Sequence, residues 1–180
     1  MSKTKSLSKV YEEIKPALKK ELDIKNDQAL PRVLKVVINS GVGKAKDKKR
    51  NELIADRLAK ITGQKASFRG AKQSIASFKS RQGDVVGVAV TLRGARMWGF
   101  LDKLVNVAIP RMRDFKGLNP KSIDEIGNFT LGLKENVIFP ETTDEDLRDV
   151  FGFSISVVTT AKTKEQALAL LTHLGFPFKK

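Results

Sequence analysis

Apolar residues recur along this chain at two spacings, and each spacing predicts an element. Leu7, Val10, Ile14, Leu18 and Leu22 follow a helical period over residues 6–22, with Pro16 set to kink that helix or split it in two. Residues 32–40 read as a strand ended by Gly41 and Gly43. Asp47 is placed to cap a helix running to Thr62, with Ile54, Leu58 and Ile61 on its buried side and Gly63 at its C-cap. A short strand is expected over 65–69 and a clear one over 85–93. A helix over 95–109 turns Met97, Leu101, Leu104 and Ala108 inward and stops at Pro110. Residues 111–150 carry scattered Gly, Pro and Asn and read as irregular, with a short helix at 143–150. A last strand at 152–160 and a helix at 163–174 complete the pattern.

Strands and helices mixed in this way predict an α+β fold. We expect a two-layer open sandwich, a mainly antiparallel sheet with helices packed on one face, in a single domain over 1–180. The other face is then open, and side-chain alternation says what lines it. Leu34, Val36 and Ile38 are predicted to point inward, and Lys35, Val37 and Asn39 outward. Val86, Val88, Val90 and Leu92 share the inner side of the next long strand, leaving Gly87, Ala89, Thr91 and Arg93 outside. In the last strand Phe153, Ile155 and Val157 go inward and leave Ser154, Ser156, Val158 and Thr160.

The outer set is small, polar and basic, without a carboxylate. Small residues let a backbone approach, while Lys, Arg, Asn, Ser and Thr donate hydrogen bonds to phosphate and ribose oxygens. An ordinary solvent-facing sheet mixes both signs of charge. The set also lacks aromatic residues that stack unpaired bases, so folded RNA read through backbone and shape fits better than single-stranded RNA.

Charge strengthens this picture. The net charge is +14 on 180 residues with 41% hydrophobic content, which combines a real core with a demand for a polyanion. No basic amphipathic helix with a large aromatic face supports a membrane partner, and no apolar run has signal or transmembrane length. A cytosolic location is expected. The absence of cysteine removes disulfides and cysteine-containing zinc sites. His173, the one histidine, follows a leucine-rich helical stretch and reads as a helix-end residue rather than a base or ligand. Neither a cofactor nor a metal is expected.

Residues 70–84 link two strands, yet exceed any normal hairpin turn, which predicts a protruding functional loop. Lys72, Lys79 and Arg81 give it positive charge, Gln73 and Ser74 neutral donors, and Phe78 a ring that can stack or anchor. Asp84 is its one acid. Ile75 and Phe78 are also placed to tuck the loop onto the core. Three further charge clusters are weaker signals: Lys44–Arg50 and Arg111–Lys116 are compatible with a solvated surface as well as with binding, and the acidic run Glu141–Asp149, repelled by phosphate, faces either water or a basic protein.

Other motifs fail on inspection. Ser40-Gly-Val-Gly-Lys44 lacks the Walker spacing, and Ala45 stands where a magnesium-binding hydroxyl is needed. Asn128-Phe-Thr130 fits a glycosylation sequon with nothing else pointing to secretion. No nucleophile–histidine–acid arrangement is credible, so the chain does not read as an enzyme. A regulatory DNA-binding protein would need a recognition helix, whereas the strongest helices here are required for the core. An RNA-modifying enzyme would need cofactor or catalytic groups that the sequence does not display.

Several blocks, taken in order, resemble the bacterial large-subunit ribosomal protein number five, the 5S rRNA-binding family. They are Pro31-Arg-Val-Leu-Lys-Val-Val-Ile-Asn-Ser-Gly-Val-Gly43, Ile61-Thr-Gly-Gln-Lys65, Phe78-Lys-Ser-Arg-Gln-Gly83 and Val90-Thr-Leu-Arg-Gly-Ala-Arg-Met-Trp98. Pro110-Arg-Met-Arg-Asp-Phe-Lys-Gly-Leu118, the stretch from Gly127-Asn-Phe-Thr130 through Ile138-Phe-Pro-Glu141, and Thr159-Thr-Ala-Lys162 continue the likeness. The resemblance implies a sheet with helices on one side that binds 5S rRNA in the central protuberance of the large subunit. It implies 23S rRNA and neighbouring large-subunit proteins as further partners.

The family's RNA-contact positions map onto Asn39, Gln64 and Thr91, two of which fall on the outer face inferred from alternation; Lys35 and Arg93 flank them on that face. Gln64 rests on the resemblance alone. The family's long loop touches the elbow of P-site tRNA, which maps onto Lys72, Gln73, Ser74, Phe78, Lys79 and Arg81. Gly70 and Gln73 stand where relatives often carry basic residues, leaving this loop fewer charges. The resemblance also implies a bridge to a small-subunit head protein, with no residue assigned to it.

Overall fold

Alternating burial builds the strands of the computed structural model, which describes residues 6–43, 47–113, 115–142 and 150–179 apart from the Phe78 side chain. Strands β1 (Val33–Gly41), β2 (Ser67–Gly70), β3 (Val85–Leu92), β4 (Phe129–Leu133) and β5 (Phe153–Thr159) form one sheet in the order β2-β3-β1-β5-β4. Val36, Ile38, Val88, Val90, Leu92, Ile155 and Val157 are each at most 2% exposed, which confirms the inner phase expected for β1, β3 and β5. Pairing is antiparallel. The register Ser67↔Ala89 and Arg69↔Gly87 shows this for β2 and β3. For β1 and β5 the same follows from Ser40 Oγ donating to the Gly152 carbonyl and Ser154 Oγ to that of Asn39.

Two expectations about the strands need correction. Leu34 shares the parity of Val36 and Ile38 but is 44% exposed, because burial at the start of β1 falls on Val33 instead. Gly87 and Ala89 belong to the outer face yet count as buried, because residues this small sit below the larger side chains beside them. Residues 111–150 are also less irregular than expected. They hold β4 and short 3-10 turns at Pro120–Ser122, Asn136–Ile138 and Pro140–Thr142. Most of the expected helix at 143–150 lies outside the described residues, as do Lys44 and Lys46.

The chain divides into two compact units. One comprises Val37–Leu92 and Gly132–Ile155. Its helix α2 (Lys48–Thr62) packs on β3, burying Ile54, Leu58 and Ile61 as its period predicts. Asp47 accepts the Lys49 N–H at 2.9 Å to cap the start, and Gly63, at φ +67, returns its N–H to the Ala59 carbonyl at the end. Phe139 and Phe151 flank Phe153 with ring centroids 6.0 Å apart in each pair. The buried Asn136 side chain accepts the Phe151 N–H at 3.2 Å, so its polar atom is satisfied inside that apolar cluster.

The other unit comprises Met1–Val36, Arg93–Leu131 and Ser156–Lys180. Here α1 (Leu7–Leu22) packs against α3 (Gly94–Lys103) and α4 (Lys164–His173). Pro16 lies inside α1 and does not divide it. An interior proline costs a helix about 3 kcal/mol, and burial of Leu7, Tyr11 and Leu18 on either side of it holds the helix in one piece. Ser6 makes no side-chain cap; Asp102, on α3, accepts the Leu7 N–H at 2.8 Å instead. Residues Leu104–Ala108 continue α3 as a π-helical turn, in which the Ile109 N–H reaches back to the Leu104 carbonyl just before Pro110. His173 does end its helix, and its Nε2 lies 2.7 Å from the Glu21 carboxylate.

Tyr11 offers a test of this packing. Its hydroxyl donates to the Pro31 carbonyl at 3.2 Å, and its ring stacks on Trp98, the one tryptophan, with centroids 5.9 Å apart. Burial is the main cause that pushes the hydroxyl above its ordinary value of 10.0, and Lys15 partly opposes it. A raised folded value means that this contribution is complete below pH 10.0 and is lost as pH rises further. Tyr11→Phe should therefore cost about 1 kcal/mol at neutral pH and remove that part of the alkaline loss, read from Trp98 fluorescence during urea unfolding.

Candidate nucleic-acid interface

The outer sheet face within the Val37–Leu92 and Gly132–Ile155 unit is built on a floor of small residues. A Cβ placed on Gly87 would sit 3.6 Å from Asn39 Oδ1, 3.5 Å from the Ser40 carbonyl and 3.7 Å from the Arg69 Cβ. Asn39 and Arg69 therefore flank the glycine from β1 and β2. Ala89 lies two residues along the same face, with Ser67 opposite it donating from Oγ to the Ala89 carbonyl at 3.0 Å. Residues directly opposite in an antiparallel pair share a face, which puts Ser67 and Arg69 beside Asn39, Thr91 and Ser154. None of these side chains is a carboxylate. Asn39, Ser67 and Arg69 are exposed, and Thr91 and Ser154 half-buried.

Local structure sets Gln64 in this group. Gly63 turns the chain out of α2, and the Gln64 N–H then donates to Thr62 Oγ1 at 3.3 Å. Gln64 Nε2 reaches β3 and donates to the Thr91 carbonyl at 3.0 Å. Two of the three positions implied by resemblance are thus in direct contact, and the third, Asn39, shares their unit. Lys35, half-buried on β1, and Arg93, exposed at the N-cap of α3, fall in the other unit. Arg69 and Ser67 escaped the sequence reading. Register is what reveals them, and the shift between Arg69 and Gly70 hides it from a simple count.

The loop after β2 is an ordered hairpin. Ile75 and Ser80 exchange two backbone hydrogen bonds, at 3.0 and 3.3 Å, around a 3-10 turn at Ala76–Phe78. Lys72, Gln73, Ser74, Lys79 and Arg81 are all exposed; the Phe78 side chain lies outside the described part. Ile75, bridged to Ser80, is 44% exposed, so it does not tuck the loop onto the core. An open hollow of about 660 Å³ is lined by Ser74, Ala76, Lys79, Ser80, Arg81 and Asp84.

The rejected motifs also find their places. The Asn128 side chain donates from Nδ2 to Asp124 and accepts from the Thr159 N–H, so the sequon nitrogen is already engaged. Among the described residues no group of three or more metal-binding side chains converges, and no helix is long and apolar enough to cross a membrane.

Known proteins match this chain almost end to end. Residues 26–81 fit the family described as Ribosomal protein L5, and residues 85–178 fit the C-terminal region of that same ribosomal family. A protein named large ribosomal subunit protein uL5 from Thermus thermophilus is 53% identical over 173 residues, 96% of this chain and 95% of its own. Proteins of the same name share 52% identity in Natranaerobius thermophilus, over 92% of this chain and 93% of theirs, and 48% in a Synechococcus strain, over 97% and 98%. At identities near one half, sustained across both chains and carrying both family segments in order, this chain belongs to the ribosomal protein L5 family.

Proposed function

We propose that the chain is a structural, non-enzymatic constituent of the large ribosomal subunit. It binds 5S rRNA in the central protuberance through its outer sheet face and steadies the elbow of P-site tRNA with the loop at 71–84. The observation that carries this reading is the acid-free group around Gly87, where Asn39, Arg69, Ser67 and Thr91 surround a floor low enough for a sugar-phosphate backbone to approach. Membership of a ribosomal family and a net charge of +14 support the same class of partner. Contacts to 23S rRNA, to neighbouring large-subunit proteins and to a small-subunit head protein complete the proposal.

Binding of labelled 5S rRNA, against duplex DNA and an unrelated folded RNA as competitors, tests it. About 6–10 phosphate contacts should make affinity fall by orders of magnitude between low and moderate salt. Equal binding of all three nucleic acids would defeat the proposal. The loop separates from the face in a second measurement. Lys72, Lys79 and Arg81 changed together to Gln should leave 5S rRNA affinity nearly intact. The same change should speed release of P-site tRNA from subunits carrying the variant by about tenfold, three exposed ion contacts at a few tenths to one kcal/mol each.

A further inference from the structure

The proposed tRNA-contacting loop contains one acid, and its position is informative. Asp84 Oδ2 accepts the Arg81 N–H at 3.0 Å, while the Asp84 N–H donates to the Arg81 carbonyl at 3.1 Å. Together they close a four-residue turn with Gly83 at φ +90, a conformation that requires glycine. The Asp84 carbonyl accepts the Ala71 N–H at 2.8 Å, and the Gly83 N–H returns to the Ala71 carbonyl at 3.0 Å, so this turn is fastened to the end of β2. Further out, Ser74 Oγ accepts the Gln82 N–H at 2.9 Å and ties the two arms together. Beyond it come the Ile75–Ser80 pair and Lys79, held at φ 50. A lysine in that region carries a strain that glycine would avoid, so its surroundings must determine the conformation.

We propose that Asp84 and Ser74 are positioning residues that hold this loop in its RNA-binding shape, so that Lys79 and Arg81 meet the polyanion already ordered. This rests on the reading of the loop as the tRNA contact. An arm fixed beforehand does not lose its conformational freedom at the moment of binding. Charge alone predicts the opposite role for Asp84, since a carboxylate among cations that face phosphate weakens attraction. The two accounts therefore differ in sign.

Asp84→Ala, Asp84→Asn, Ser74→Ala and Ser74→Thr in the full chain, assembled into large subunits, decide between them. Asp84→Ala removes a negative charge, yet it should release P-site tRNA about fivefold faster, the size of one lost hydrogen bond. Asp84→Asn keeps an acceptor oxygen and should hold tRNA at least as well as the parent. Ser74→Ala should follow Asp84→Ala, and Ser74→Thr, which keeps the hydroxyl, should return the Gln82 amide to its parental exchange rate. Hydrogen exchange on the free chain should show faster exchange at the Arg81 and Gln82 amides in the alanine variants, with Val88 and Val90 in β3 unchanged. Slower or unchanged tRNA release in both alanine variants, with those loop amides freed, overturns the positioning role while leaving the tRNA contact standing. Parental tRNA release after neutralising Lys72, Lys79 and Arg81 overturns the contact itself, and this inference with it.

Discussion

Gly127→Ala should destabilise the chain by about 2–4 kcal/mol, combining a left-handed backbone penalty of roughly 1–2 kcal/mol with an overpacking cost of similar size. Gly127 has φ +85, and a Cβ there would lie 2.6 Å from the Ala161 Cβ and 3.2 Å from the Ala161 carbonyl oxygen. Neither obstacle is the end of a flexible side chain, so the backbone itself would have to move. That movement would reach further. The Gly127 carbonyl accepts from Thr159 Oγ1 at 2.7 Å, which in turn accepts the Ala161 N–H at 3.1 Å, and Thr159 is 6% exposed. Shifting the turn leaves a buried hydroxyl unpaired at the end of β5. Gly132→Ala is the matched control, because nothing lies within 4 Å of its added Cβ. The urea midpoint should fall sharply for the first variant and barely for the second; equal midpoints would refute the packing account.

That turn also illustrates why sequence pattern stops where it does. β1, β3 and β5 were legible because each runs long enough for inner and outer residues to alternate several times. β4 has only Phe129–Leu133, contains Gly132, and follows the Gly127 turn directly, so its few apolar residues carry no period. The caps divide in the same way. Asp47 and Gly63 act on their own helix and can be read locally, whereas α1 begins on the carboxylate of Asp102, 95 residues away. Asn39, Thr91 and Ser154 were accessible because parity alone assigns them to the candidate face. Arg69 and Ser67 depend on which residues of β2 stand opposite Gly87 and Ala89, a relation that only pairing supplies. Gln64 was reached by likeness. Its reason, the bond from Nε2 to the Thr91 carbonyl, is a tertiary contact.

Asn39→Asp should weaken 5S rRNA binding by about 100-fold, because like charges brought together across an interface cost several kcal/mol. The substitution is nearly isosteric and the position exposed, so stability should be almost unchanged. What changes is the field at the lowest point of the face. A carboxylate would stand 3.6 Å from where a Gly87 Cβ would be, in a group otherwise made of Ser67, Arg69, Thr91 and Ser154, none of them an acid. Arg69, whose Cβ lies on the other side of that glycine, would then be drawn toward the new carboxylate and away from phosphate, so one substitution removes a contact and adds a repulsion. Asn39→Ala separates these effects. It deletes the amide without adding charge and should cost about 1–2 kcal/mol, close to tenfold. Added salt should shrink the Asp defect toward the Ala defect, because screening acts on the repulsion and not on the missing hydrogen bond. Parental binding by Asn39→Asp at low salt would mean that phosphate does not approach here, and the outer face would lose its claim to the RNA.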